Sequence, residues 1–420
     1  MVAVGMVCKG NEGRGSPVVR SGVGDWCAMR TFSTMQGALL SAGYIALLLF
    51  VIRRSRFFAL PELRKRHLAG IFLVKVAAGT ALWWIYTFHF TDRSTADIYK
   101  YFDDSKVMYD ALWTAPSDFL RMLFGIANDN AHFSGSYYHV MNNWMRKYES
   151  NLANDSHTMI RFNALVRVFS GGHFSVHNVF AAFLAFTGMT AICKAFAAYL
   201  PGRRVLLYVA VFLLPSVLFW ASGVIKESLL LFALGLLLWK LFAAMEGRAR
   251  WSDAVVVAPL LLLLFFLKFY VLLSMVPALI ALAWCRLRPG RGFLKYGIAL
   301  EASCAIALHI HHVIPGFNIL QVLWWKQHDF IGLARLMDSG SFVMPPAMEP
   351  SLGSFLKNAP YALYMCFLGP LAHVGQGPLG LLSAVETAVI LLAVVFLLAR
   401  RQRQGIDLAL VLFCLCFALA

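Results

Sequence analysis

Apolar residues in this chain gather into blocks of roughly twenty, and short runs of arginine and lysine separate the blocks. That alternation is what a bilayer demands. A helix needs about 20 apolar residues to cross the hydrocarbon, and basic clusters stay on the cytoplasmic side. Across the 420 residues, 60% are hydrophobic and only 14% charged, too few to cover the surface of a soluble domain of this length. The net charge of +16 does not indicate nucleic acid. The basic residues sit between apolar blocks instead of on one soluble face.

Spans are predicted at 35–52, 68–90, 174–193, 205–222, 228–245, 296–314 and 379–399. The block 254–285 is too long for one crossing and carries Lys268 near its middle, so it reads as two short helices with Lys268 at the tip. The last block, 406–420, is short for a full crossing, as in a truncated gene product. The predicted fold is therefore all-α, a polytopic bundle of about ten spans. Arg53 to Arg66, Arg203 and Arg204, Arg248 and Arg250, Arg286 to Lys295, and Arg400 to Arg403 all fall inside under one alternation. The N-terminus is then outside. Residues 1–34 are rich in Gly, Ser and Arg, lack the apolar core of a signal peptide, and read as a disordered tail, with Met35 a candidate start. Residues 35–420 form one transmembrane domain, with long outer loops over 91–160 and 315–378.

The eight cysteines supply no CxxC pair and no disulfide framework. His309, His311 and His312 do not share one helix face and lack a partnering motif, so a metal is not expected there. There is no G-x-S-x-G and no phosphate-binding P-loop. No cofactor is expected, although a divalent cation beside a phosphate stays open.

Polar residues in three places resist a packing explanation. The first outer loop opens with Asp97, Tyr99, Lys100, Tyr101, Asp103, Asp104 and Lys106. In a helix, Asp97, Tyr101 and Asp104 share a face. The segment reads either as a solvated helix with Lys100–Asp104 and Asp103–Lys106 pairs, or as carboxylates held at the membrane surface for proton transfer. Lys226 and Lys268 tip two neighbouring hairpins. They read either as snorkelling lysines or as a clamp for a phosphate. The second outer loop carries Trp324, Trp325, Lys326 and Arg335 on amphipathic, interface-lying helices, either cradling a lipid tail or forming a re-entrant loop. Glu301 and Glu386 fall inside predicted spans; Glu301 is placed to reach Lys295.

Taken in order, the Asp97…Asp103-Asp104 segment, the hairpin LPSVLFWASGVIKES at 214–228, the tip Lys268-Phe269-Tyr270 and the late Pro-rich loop resemble bacterial multi-spanning membrane glycosyltransferases of the GT-C type. The similarity runs loosely over 35–400, and the chain lacks a large C-terminal soluble domain. The resemblance implies an inner-membrane enzyme of surface-polysaccharide assembly. It implies a sugar donor on a polyprenyl phosphate, a glycan or protein acceptor, and inversion at the anomeric carbon. Asp97, Asp103 or Asp104 would be the base. Lys226, Lys268, Tyr270, Lys326 and Arg335 would hold the donor phosphate. Two alternatives remain open. One is a polymerase or ligase of lipid-linked glycans relying on loop arginines (Arg93, Arg121, Arg146, Arg161, Arg335). The other is a lipid or oligosaccharide flippase, although no matching halves are visible.

Overall fold

A computed structural model describes residues 22–89, 93, 96–145, 155–315, 317–336, 344–372, 377–399 and 407–419. Residues 1–21 of the expected tail, Arg146, and Arg400 to Arg403 lie outside the described residues.

The described residues form helices and no strands. In chain order the helices are α1 (Gly22–Arg54), α2 (Lys65–Phe88), α3 (Asp97–Thr114), α4 (Pro116–Phe124), α5 (Ala131–Ser136), α6 (Ser156–Ser170), α7 (Phe174–Ala197) and α8 (Arg204–Phe212). They continue as α9 (Pro215–Trp220), α10 (Lys226–Met245), α11 (Asp253–Leu287), α12 (Gly292–His309), α13 (Ile319–Leu336), α14 (Leu352–Ala372), α15 (Gly377–Ala399) and α16 (Leu408–Leu419). Among the described residues, six helices are long and apolar enough to cross a bilayer: α1 from Met35 onward, α2, α7, α10, α11, and α12 with the turn that follows it. The expected crossing at 205–222 is instead two short helices. Pro215 cannot donate the backbone bond that would join α8 to α9, and it starts α9 at the first helical position. Shorter apolar helices cover 380–396 and 408–418.

Helix α7 lies at the centre, packed along α10 and also touching α1, α2 and α8. Its contact with α10 is so close that a Cβ on Gly188 would sit 2.0 Å from the Leu231 carbonyl oxygen. A Cβ on Gly235 would sit 2.1 Å from the Gly188 oxygen. Small residues let membrane helices approach in this way, where packing rather than water drives association. Gly188→Ala is therefore expected to cost about 1–3 kcal/mol by forcing the helices apart. A melt of the purified protein showing no change would mean the two backbones are not held this closely.

Helix α11 folds back on itself. A straight helix of 35 residues would be about 50 Å long. Yet its two ends lie beside the same end of α10. Asp253 pairs with Lys240 at 2.6 Å, and the Arg286 guanidinium lies over the Tyr199 ring, whose hydroxyl donates to Glu246 at 2.6 Å. The reversal is at Lys268, where the backbone is extended (φ −152°, ψ 81°). Lys268 in turn pairs with Glu227 at the opposite end of α10.

The first polar stretch folds into a small helical cap. Pro116 starts α4 and Gly125, with φ of 71°, ends it; Gly171, with φ of 56°, ends α6. The glycines adopt the left-handed turn that other residues resist. The cap's core, including Met108, Phe133, Met159 and Ile160, closes onto Leu229 of α10 and Leu267 of α11. The cap therefore sits on the end of the bundle that carries Lys226 and Lys268.

Inside the apolar region two charges hold the broken α8–α9 segment. Lys75 of α2 is fully buried and donates to the Ala221 carbonyl at 3.0 Å, at the C-terminal end of α9. Glu386 of α15 accepts from the Ser216 amide at 2.9 Å and its hydroxyl at 2.6 Å, in the first turn of α9. Each charge faces the end of α9 that its sign suits.

Candidate functional site at the cap and bundle boundary

Where the cap meets the bundle, charged and phenolic groups from four helices and one turn converge. Lys226 begins α10, and its ammonium pairs with Asp155, just ahead of α6, at 2.7 Å. The same ammonium lies over the ring of Tyr101 from α3, 5.3 Å from its centroid. The Tyr101 hydroxyl bonds with Ser156. Lys268, at the reversal of α11, pairs with Glu227 at 2.8 Å, and Tyr270 lies beside it. Burial, with the charges of Asp97, Asp155 and Glu227, raises the Tyr101 pKa well above its usual value. Tyr101 is thus a fixed proton donor in the ordinary pH range. Tyr86, at the end of α2, is within electrostatic reach of Asp97 and Glu227.

The three expected carboxylates separate sharply. Asp97 sits in the first turn of α3 with 59% of its side chain exposed, and pairs with Lys100 at 3.2 Å. Of the three, it is the one whose charge acts on Tyr101. Asp103 is gripped by both arms of Arg93, at 2.8 and 2.7 Å. Asp104 is 3% exposed and accepts from the backbone amides of Asn142 at 3.0 Å and Asn143 at 2.7 Å. It also accepts from the Asn143 side chain at 3.1 Å. Burial raises its pKa, although those hydrogen bonds oppose the rise. An elevated pKa suits a base, but the donors around Asp104 belong to the protein and pin the cap. The expected Lys100–Asp104 and Asp103–Lys106 pairs do not form: Lys100 takes Asp97, and Lys106 takes Asp110 at 2.5 Å. With Asp104 turned inward, Lys100 finds its partner at the exposed helix start.

Arg167 of α6 sets the register of α3 from below. It is buried, donates to the Ser105 hydroxyl at 2.7 Å and the Phe102 carbonyl at 2.6 Å, and covers the Phe102 ring at 4.0 Å. Burial lowers its pKa to about 10, which still leaves it charged.

The other expected donor-binding residues lie elsewhere. Lys326 and Arg335 are on α13, which packs on α12, and Arg335 meets the Met344 sulfur at 3.8 Å. Lys226, Lys268 and Tyr270 are brought together; Lys326 and Arg335 do not join them. Lys295 donates to the Arg288 carbonyl instead of reaching Glu301. His309 and His311 bond backbone carbonyls of the last turns of α12, those of Ala305 and Leu308, each at 2.9 Å. No group of three or more metal-ligating side chains occurs among the described residues.

No family model, curated protein or solved structure matches this chain.

Proposed function

We propose that the chain is a membrane glycosyltransferase that takes a sugar from a polyprenyl-phosphate donor, with Asp97 as base and Lys226 and Lys268 at the leaving phosphate. The supporting observation is the convergence of Asp97, Tyr101, Lys226 and Lys268 where a polar cap meets apolar helices. A lipid-borne substrate presents its head group at that depth.

In this reading the acceptor hydroxyl gives its proton to Asp97 as its oxygen attacks the anomeric carbon. The bond from that carbon to the phosphate oxygen breaks, and the electron pair leaves with the phosphate. Attack opposite the leaving group inverts the centre. The lysines stabilise the growing phosphate charge, more strongly where water is excluded. At rest they are neutralised by Asp155 and Glu227, so the donor phosphate must compete for them. About ten spans, an external N-terminus and the bacterial inner membrane complete the proposal, and place the cap outside.

The purified protein is expected to transfer sugar from polyprenyl-phosphate donors to a hydroxyl acceptor. Lys226→Gln with Lys268→Gln is expected to lower kcat/KM by about 10²–10³-fold, the scale for loss of electrostatic stabilisation. Full activity in the double variant would remove the phosphate clamp.

One observation favours a second reading, lipid transport. Broken helices carrying charges inside the bilayer are a transporter feature, and α9 has Lys75 at one end and Glu386 at the other. Movement of a labelled lipid across proteoliposomes without covalent change would support that reading over transfer.

A further inference from the structure

Beside the cap, a cavity of about 410 Å³ opens between α4, α6 and the first arm of α11. Leu123 and Phe124 line one wall, Thr158 and Arg161 another, and Leu262 and Leu263 the third. Phe124 and Leu262 are exposed. Because α11 is one of the apolar, bilayer-length helices, this groove opens toward hydrocarbon.

Arg161 is the anomaly in it. Its Nε donates to the Met122 carbonyl at 2.8 Å, and its guanidinium lies 5.3 Å from the Trp144 ring centroid. Among the described residues no carboxylate forms an ion pair with it; Asp129 is felt only at a distance. A guanidinium at an apolar boundary without a counter-ion is costly, and its planar fork matches a phosphate. The apolar walls give a soluble anion nothing to fill them.

We propose that this groove seats an anionic membrane phospholipid, its phosphodiester on Arg161 and an acyl chain along Leu262, Leu263 and Phe124. The groove is lined by other side chains than those of the lysine cluster. The Thr158 hydroxyl donates to the Phe266 carbonyl at 3.5 Å, joining two of its walls. The assignment stands whether or not the chain transfers sugar.

The test is native mass spectrometry of the full chain, purified in detergent and exposed to phosphatidylglycerol and phosphatidylcholine in equal amounts. Wild type is expected to retain phosphatidylglycerol about ten-fold over phosphatidylcholine. Arg161→Gln is expected to erase the preference. Leu262→Trp, which fills the groove and leaves the Arg161–Met122 bond intact, is expected to lower retention of the anionic lipid. Equal retention of both lipids by wild type overturns the proposal. So does an unchanged preference in Leu262→Trp, or displacement of the lipid by millimolar inorganic phosphate, since a free anion would then suffice.

Discussion

Asp97→Asn is expected to lower sugar transfer by about 10²–10⁴-fold, the range for loss of a positioned general base. The same change should leave thermal stability within about 0.5 kcal/mol, as for an exposed surface group. Among the described residues Asp97 forms one ion pair, with Lys100, and its own side chain is largely exposed. It is nonetheless close enough to Tyr101 to act on that hydroxyl together with Asp155 and Glu227. A base must meet its substrate and release its proton, so exposure beside a fixed cluster is the useful combination. Asp103 cannot serve without breaking its two-armed contact with Arg93, and Asp103→Asn should change the rate only a few-fold. Transfer rates measured under single-turnover conditions, alongside melting curves, separate the two variants. Wild-type rate in Asp97→Asn would leave the cluster without a base.

The bundle was legible in the sequence where composition alone decides. Six apolar blocks became helices of crossing length. The reversal at Lys268 could be read because a charge in the middle of a long apolar block has few other places to go. Pro215 marked the break before α9, but not that the break would split a crossing in two. The site was legible only in part. Lys226 and Lys268 were recognisable at hairpin tips, yet their partners were not. Asp155 lies far along the chain from Lys226, and no local pattern pairs them. Helical spacing put Asp97 and Asp104 on one face, and both do lie on α3. Their opposite fates came from Asn142 and Asn143, which reach Asp104 from beyond two intervening helices. Lys75, the lone Lys, Arg, Asp or Glu in the expected span 68–90, was not among the expected site residues, although a charge in such a position rarely lacks a role. Its acceptor, a carbonyl at the end of α9, depends on packing that sequence does not encode locally.

Asp104→Ala is expected to cost about 3–5 kcal/mol, the sum of charge-assisted hydrogen bonds lost and amides left unpaired. Three N–H groups point at this carboxylate. Two are backbone amides of the segment after the turn at Tyr138–Val140, so the carboxylate ties α3 to the far side of the cap. Asparagine at this position rescues only part of the loss. Its amide offers one acceptor oxygen and turns an NH₂ toward groups that are themselves donors. Asp104→Asn should therefore melt well below wild type, and any fall in activity should follow the fraction folded. This distinguishes the two acids of one helix. Asn at 97 removes chemistry from an intact cap, whereas Asn at 104 loosens the cap that positions the cluster. A variant at 104 that melts like wild type but transfers no sugar would reverse that assignment and make Asp104 the base.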